Sequence, residues 1–450
     1  MEQDIIEGAL AQVRRALQRG DIEGAVAVLS ALRLPDRADA FADLELEQQQ
    51  EILPQFSLPD SADLLEEMED EEAAELAARL DVGTLVPILD EMEPDEAADL
   101  LGDLRPEQVT AALAQMTDPD EVRPLLLHPD ETAGGLMTSE FLALRRRMTA
   151  AEALTAVRRW APAAEETGHY LFVVDREGRL CGVVSLLHLI KAPPTALVSD
   201  LMDPDVIHVM AGTDQEECAR LMARYDIMAL PVVDEGRRLL GIITVDDLVE
   251  VLEDEATEDI QRLGGAEPLG RPYLDSGVIA VAWKRMGWLL LLFITETFTG
   301  SVLRHFQAEL NAAVALAFFV PLLIGTGGNA GSQTINTIIR ALAVGEIDLR
   351  DALRVFWHEI RAGVLLGLIM AAIAFARALT WGATTALALA VATSIFTIVI
   401  WANSVGSLLP LLAARLGIDP TVVSGPFMST LVDATGLFIY FTIAKLILGI

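Results

Sequence analysis

Cysteine is almost missing from this chain: Cys181 and Cys218 are its only two in 450 residues. Two thiols make no disulfide framework and no zinc site by themselves. Basic charge is scarce as well. Residues 1–270 carry 21 Lys and Arg against 58 Asp and Glu, a net charge of −37. Phosphate binding needs the opposite sign, which excludes nucleic acid as a partner. The opening Met1-Glu2-Gln3-Asp4 lacks the basic run and apolar core of a secretory signal. The acidic half is therefore expected to stay in the cytoplasm. A zinc protease helix is missing too: His358-Glu359 is followed by Ala362 where the second His would stand.

What is there is divided in two. Residues 271–450 hold only 9 acids and 11 bases, set in long apolar runs. A mean hydropathy of +0.40 is thus the average of an acidic soluble half and a membrane half. The expected fold is multidomain: an α-helical superhelix over 1–130, a tandem α/β pair over 131–250, an acidic connector helix and linker over 251–270, and a five-helix transmembrane domain over 271–450.

Repeats support the first two assignments. Leu58-Pro59-Asp60-Ser61-Ala62-Asp63-Leu64-Leu65 is echoed by Pro94-Asp95-Glu96-Ala97-Ala98-Asp99-Leu100-Leu101. Each places Pro in the first helical turn, acids where the helix dipole favours them, and leucines inward. Phe172-Val173-Val174-Asp175 to Gly182-Val183-Val184-Ser185 returns as Pro231-Val232-Val233-Asp234 to Gly241-Ile242-Ile243-Thr244. Each copy is strand, Asp/Gly turn, strand, and two matched copies resemble a tandem CBS pair. Glu250, Asp254, Glu255, Glu258 and Asp259 lie on a helical pattern from Glu250 to Gln261, after which Gly264-Gly265, Pro268 and Pro272 mark a linker.

Five apolar segments follow: Val278–Leu303, Ala312–Leu342 with an interruption, Gly363–Leu379, Thr384–Leu412 and Val422–Leu448. Each is long enough to span about 30 Å of hydrocarbon. Arg340, Arg350, Arg354 and Arg361 place the segment between the second and third spans in the cytoplasm, with Lys284 and Arg285 before the first span agreeing. The second span contains Gly325-Thr326-Gly327-Gly328-Asn329-Ala330-Gly331-Ser332-Gln333. So many glycines predict a break in the helix, with Gly327, Gly328 and Asn329 lining a wet cavity; close small-residue packing is the other reading. The last span carries Asp433, an ionisable group at membrane depth and a functional residue by default. Counted from Thr421 it lies about 18 Å along a helix. Ser429 and Gly425 precede it by one and two turns, a small polar stripe fit to face an aqueous path. The spans that carry these groups offer no thiolate or imidazole at them, which suits a hard cation without separating Mg²⁺ from Mn²⁺ or Ca²⁺. Glu296 in the first span has no assigned role.

Taken in order, these features resemble the MgtE family of Mg²⁺ channels or transporters, along nearly the whole chain. The resemblance implies a homodimer in the bacterial inner membrane, lipid around it, and passive Mg²⁺ uptake with no enzymatic chemistry. It implies that Asp433 is the pore carboxylate, one from each subunit, with Gly425 and Ser429 helping to hold the hydrated ion. It implies further that cytosolic Mg²⁺ closes the pore through acidic positions. Those matching here are Asp63, Asp95, Asp99 and Gly135, then Glu216, Asp226, Asp247 and Glu250, then Glu255, Glu258 and Asp259 on the connector, and Asp419 at the last span. In nucleotide-binding CBS repeats an Asp closes the Gly-x-x-Ser/Thr-x-x-Asp pattern. Gly241, Thr244 and Asp247 fit it, whereas Gly182 and Ser185 are followed by His188, so ATP binding need not carry over. Transport of Mn²⁺, Co²⁺ or Ca²⁺, or a CBS-regulated anion channel, are the competing functions. A mid-span carboxylate disfavours the last.

Overall fold

The computed structural model describes residues 2–160, 170–269, 273, 274 and 276–449; Pro272 of the expected linker lies outside them. The chain forms two compact units, Met1–Glu253 and Asp254–Ile450.

In the first unit, ten short α-helices run from Glu2 to Val122. Their length follows from punctuation. Leu58–Glu66 has Pro in its first turn and Ser57 as N-cap, accepting from Asp60 N at 3.3 Å, while Pro94–Gly102 also has Pro in its first turn. Each helix buries one apolar stripe, and Leu64, Leu76, Leu85 and Leu89 are almost fully enclosed, each stabilising the fold by about 1.5–3 kcal/mol.

The expected repeat is present as two three-stranded sheets. One contains β1 (Ala143–Arg145), β2 (Tyr170–Val174) and β3 (Leu180–Ser185). The other contains β4 (Val209–Met210), β5 (Ala229–Val233) and β6 (Leu239–Thr244). In both, the first pair is parallel and the second antiparallel. Both slip register at the same place, Val173/Val174 and Val232/Val233. The two copies share a small core of Phe172, Leu180, Val233 and Ile242. The second copy also shares the N-terminal helices' core, through Val209, Met222, Leu230 and Leu248, whereas the first builds its own around Leu144, Leu171 and Val173.

The helix after β6 runs unbroken from Val245 to Leu263, longer than the expected Glu250–Gln261, and passes straight through residue 250. Gly265, at φ +73°, lies just past its end.

In the second unit five helices are long and apolar enough to cross a membrane: Val278–His305, Val314–Ala343, Leu349–Thr380, Thr385–Arg415 and Gly425–Leu448. Two expectations are corrected here. The glycine-rich segment does not break the second span, since Val320–Ala343 is one continuous helix; its glycines are absorbed by neighbouring helices that come close. The third span starts with a 3-10 turn at Leu349–Asp351 and its α-helix at Ala352, not at Gly363, so Arg354 and Arg361 lie inside a helix and not in a loop. Arg354, His358, Glu359 and Arg361 interrupt the apolar run and hid its first turns from a hydropathy reading.

The paired turns give a stability test. Asp175 Oδ1 accepts from Glu177 N and Arg179 N, and Asp234 Oδ1 accepts from Gly236 N and Arg238 N, all at 2.8–2.9 Å. The left-handed position three residues after the Asp is Gly178 (φ 81°) in the first turn but Arg237 (φ 60°) in the second. A side chain there costs about 1–2 kcal/mol, partly offset by the backbone entropy of glycine. Arg237→Gly should therefore stabilise the second repeat by about 0.5–1 kcal/mol, read as slower amide exchange in β5 and β6; unchanged or faster exchange contradicts this.

Candidate cation sites

The last span starts later than the sequence suggests. Ser424 caps it, and a separate 3-10 turn occupies Pro420–Val422. Asp433 is thus eight residues past Gly425, about 12 Å into the helix rather than 18 Å. Its Oδ1 is buried and has no hydrogen-bond partner among the described residues. Lys445, the only base on the same helix, is committed elsewhere: its Nζ lies 2.5 Å from Glu309 Oε1.

Within the protomer Gly425 is buried and Ser429 half-buried. Ser332 of the second span donates to Gly425 O at 3.0 Å and lies 3.2 Å from Ser429 Oγ. The glycine-rich segment divides into two faces. Gly327, Gly328 and Gly331 are contact points: a Cβ on them would come within 2.5 Å of Ile398, 3.2 Å of Ser429 Oγ and 2.6 Å of Met428. Thr326, Asn329 and Gln333 face the other way, lining a cavity of about 400 Å³ with Pro321, Gly325 and Met370. Gly327 and Gly328 thus pack against neighbouring helices, and Asn329 lines the cavity.

In the first unit the structure brings together Asp95, Asp99, Asp247 and Glu250, together with acids that sequence reasoning left out. Glu93 N donates to Glu66 Oε1 at 2.8 Å. Burial, with Asp95, Glu66, Asp247 and Asp246 around it, pushes Glu93 up to about 8. Burial and Asp247 push Asp95 up to about 7, and its Oδ1 has no partner among the described residues. Glu96 is pushed to about 10 by burial and by Asp95, Asp99, Glu250 and Glu66. Asp99 is pushed to about 8 by burial, Asp130, Asp70, Asp95 and Asp103. Burial also raises Asp247, although Thr244 opposes this by donating from Oγ1 at 2.7 Å and from its backbone N at 3.1 Å. Asp63 acts on this group through Glu66. Gly135 packs against the backbone of Asp130, where a Cβ would meet the Asp130 carbonyl oxygen at 2.6 Å.

Glu216 and Asp226 lie on another element. They are exposed near the two ends of one helix, Gln215–Tyr225 and its cap, about 15 Å apart. Among the described residues no three carboxylates, imidazoles or thiolates converge as a ready chelate.

The connector's end forms a third group. Arg262 pairs with Glu258 and, at 2.7 Å, with Asp419. Asp419 also accepts from Thr421 Oγ1 at 2.6 Å. Burial raises Asp259, as do Asp419 and Glu255, with Arg262 acting against them. Arg262 escaped the sequence reading, which counted acids only; its spacing of four from Glu258 was the available signal.

Comparison with known proteins agrees with this layout. The MgtE divalent cation transporter profile matches residues 320–443, the MgtE intracellular N domain profile 32–131, and CBS domain profiles 133–194 and 198–254. The chain is 48% identical over 328 residues to the magnesium transporter MgtE of Thermus thermophilus, covering 73% of this chain and 72% of the relative. It is 35% identical over 324 residues to that of Bacillus subtilis, covering 72% and 71%. Among solved structures, the cytosolic domain of the Mg²⁺ channel MgtE in complex with ATP is 40% identical, with a TM-score of 0.51, covering 54% of this chain and 99% of that one. With matching profiles in both halves and long relatives at this identity, the chain belongs to the MgtE family of divalent cation transporters.

Proposed function

We propose that the chain conducts Mg²⁺ passively into the cell and is closed by cytosolic Mg²⁺. It acts as a lipid-embedded homodimer in the bacterial inner membrane, with residues 1–130, 131–250 and the connector over 251–270 in the cytoplasm and 271–450 in the bilayer. The observation that carries this reading is Asp433, whose Oδ1 is buried in an apolar span with no partner among the described residues. Taking a carboxylate to that depth is costly, so a cation is the natural complement. Two copies about a dimer axis would offer two carboxylates to one hydrated Mg²⁺, with Ser429 and the Gly425 carbonyl behind them. The similar proteins of Thermus thermophilus and Bacillus subtilis are named magnesium transporters, which favours Mg²⁺ over other divalent ions.

Inward flow needs no ATP. A membrane potential of about −100 mV contributes about 2.3 kcal/mol per elementary charge. Feedback follows from the acid clusters. Bare, their carboxylates repel or hold protons; a divalent cation that binds only the compact arrangement favours it by mass action. ATP is not required by this reading: His188 stands where the first repeat would need its Asp, although the similar cytosolic domain was solved in complex with ATP.

Replacing Asp433 tests conduction. Asp433→Ala should abolish Mg²⁺ entry into proteoliposomes containing a fluorescent indicator while the protein still elutes as folded. Entry at the wild-type rate sinks the assignment.

Neutralising Glu255, Glu258 and Asp259 together should leave the channel open at internal Mg²⁺ levels that close the wild type. Patch recordings with Mg²⁺ stepped on the cytoplasmic face would show it, and an unshifted closing concentration removes the connector from the sensor.

The pH dependence has a definite sign. Glu93, Asp95 and Asp99 have folded pKa values of about 8, 7 and 8, above the ordinary carboxylate range. Their contribution to the compact arrangement is therefore fully present below that range and is lost as pH rises through about 7 to 8. Without Mg²⁺, protection factors over Pro94–Gly102, corrected for intrinsic exchange, should fall between about pH 6 and about pH 9. Millimolar Mg²⁺ should restore them. Protection that is flat with pH contradicts the cluster's role.

A further inference from the structure

Three membrane helices meet at a polar cluster that the transport reading leaves unused. Glu359 of the third span accepts at Oε2 from Thr334 Oγ1 of the second span and from Asn403 Nδ2 of the fourth, each at 3.3 Å. Both bonds are long for a carboxylate, which normally draws charge-assisted donors to about 2.7–2.9 Å. The group is enclosed: Asn403 is 2% exposed, Thr334 5%, and the Glu359 side chain 15%. Glycines hold the helices close around it. A Cβ at Gly363 would lie 3.3 Å from Asn403 Cβ, and one at Gly406 would lie 3.0 Å from the Gly331 carbonyl oxygen.

The amide of Asn403 is only half satisfied. Its Oδ1 is buried and has no hydrogen-bond partner among the described residues. Exchanging the oxygen and nitrogen does not cure this. It would set a carbonyl oxygen against the carboxylate and strand an NH₂ where Oδ1 now sits. Oδ1 shares its amide carbon with the Nδ2 that touches Glu359, so the unmatched acceptor belongs to the same cluster. The neighbouring ring of His358, with Nδ1 3.6 Å from Glu359 Oε1, is 79% exposed and carries charge only when protonated.

A carboxylate, an amide oxygen and a hydroxyl are hard oxygen donors. They bring a single negative charge, which one monovalent cation balances; a divalent ion would leave net positive charge among the helices. We propose that Glu359, Asn403 and Thr334 form an alkali-cation site that ties the second, third and fourth spans together, apart from the Gly425–Asp433 edge. Glu359 lies about 10 Å past Ala352 and Asn403 about 18 Å before Arg415 along their helices, so both are reached from the same end of the antiparallel pair. The site requires no Mg²⁺ and does not rest on the transport reading.

Equilibrium dialysis of the purified full-length protein, without Mg²⁺, against radioactive sodium and separately rubidium (standing in for potassium) tests this. One of the two should bind saturably at about one ion per chain, with Glu359→Gln and Asn403→Leu each weakening binding at least about tenfold. Thr334→Val, which keeps the side-chain shape and removes the hydroxyl, guards against misfolding of the other two and should also weaken it. Binding unchanged in all three folded variants, no saturable binding of either ion, or a site that takes only Mg²⁺ would each overturn the proposal. In the second of these outcomes a buried water satisfies Asn403 Oδ1.

Discussion

The structure depends on one cost: taking a carboxylate away from water. In the first unit that cost is concentrated at Pro94–Gly102, where Glu93, Asp95, Glu96 and Asp99 are pushed up to about 8, 7, 10 and 8 mainly by burial. The strongest neighbouring charges on each are themselves acidic. Such a cluster is poor at stabilising a fold by itself. It suits an arrangement whose population is set by the concentration of a counter-charge.

Part of this was legible in the sequence, and the reason differs from feature to feature. The two α/β repeats could be read because strand, Asp/Gly turn and strand recur with the same chemistry, and even the register slips coincide at Val173/Val174 and Val232/Val233. The five spans could be read from apolar length, but the third lost its first turns because Arg354, His358, Glu359 and Arg361 interrupt the hydropathy. Burial of a particular acid has no local signature. Glu96 looks like any first-turn glutamate favoured by a helix dipole, and only the packing of Pro94–Gly102 against residues far along the chain separates it from a solvated one.

The glycine-rich segment shows how a correct physical premise leads to a wrong local expectation. Glycines do weaken an isolated helix, yet Val320–Ala343 is continuous. A membrane helix cannot leave its backbone unpaired where lipid is the alternative. The absence of side chains at Gly327, Gly328 and Gly331 instead lets Ile398, Ser429 and Met428 close in. Dispersion between closely approaching helices then does what side-chain burial does in water. The functional consequence is positional: this contact sets Ser332 against Gly425 and Ser429, and so fixes the turns that precede Asp433.

Comparing the partners of each acid in the second unit separates architecture from ion handling. Glu309 has Lys445, and Asp419 has Arg262; a cation built into the chain answers each of these charges at a helix end. Glu359 accepts from the neutral donors Thr334 and Asn403 and lies 3.6 Å from the exposed His358 ring, which is charged only when protonated. Asp433 keeps a buried oxygen with no donor among the described residues. A fixed ammonium or guanidinium beside Asp433 would neutralise it permanently and bar a passing cation by repulsion. On the proposed pore reading, withholding that partner leaves the carboxylate costly until an ion arrives. The same reasoning explains why Lys445, although on the same helix, is held by Glu309 at the helix's far end.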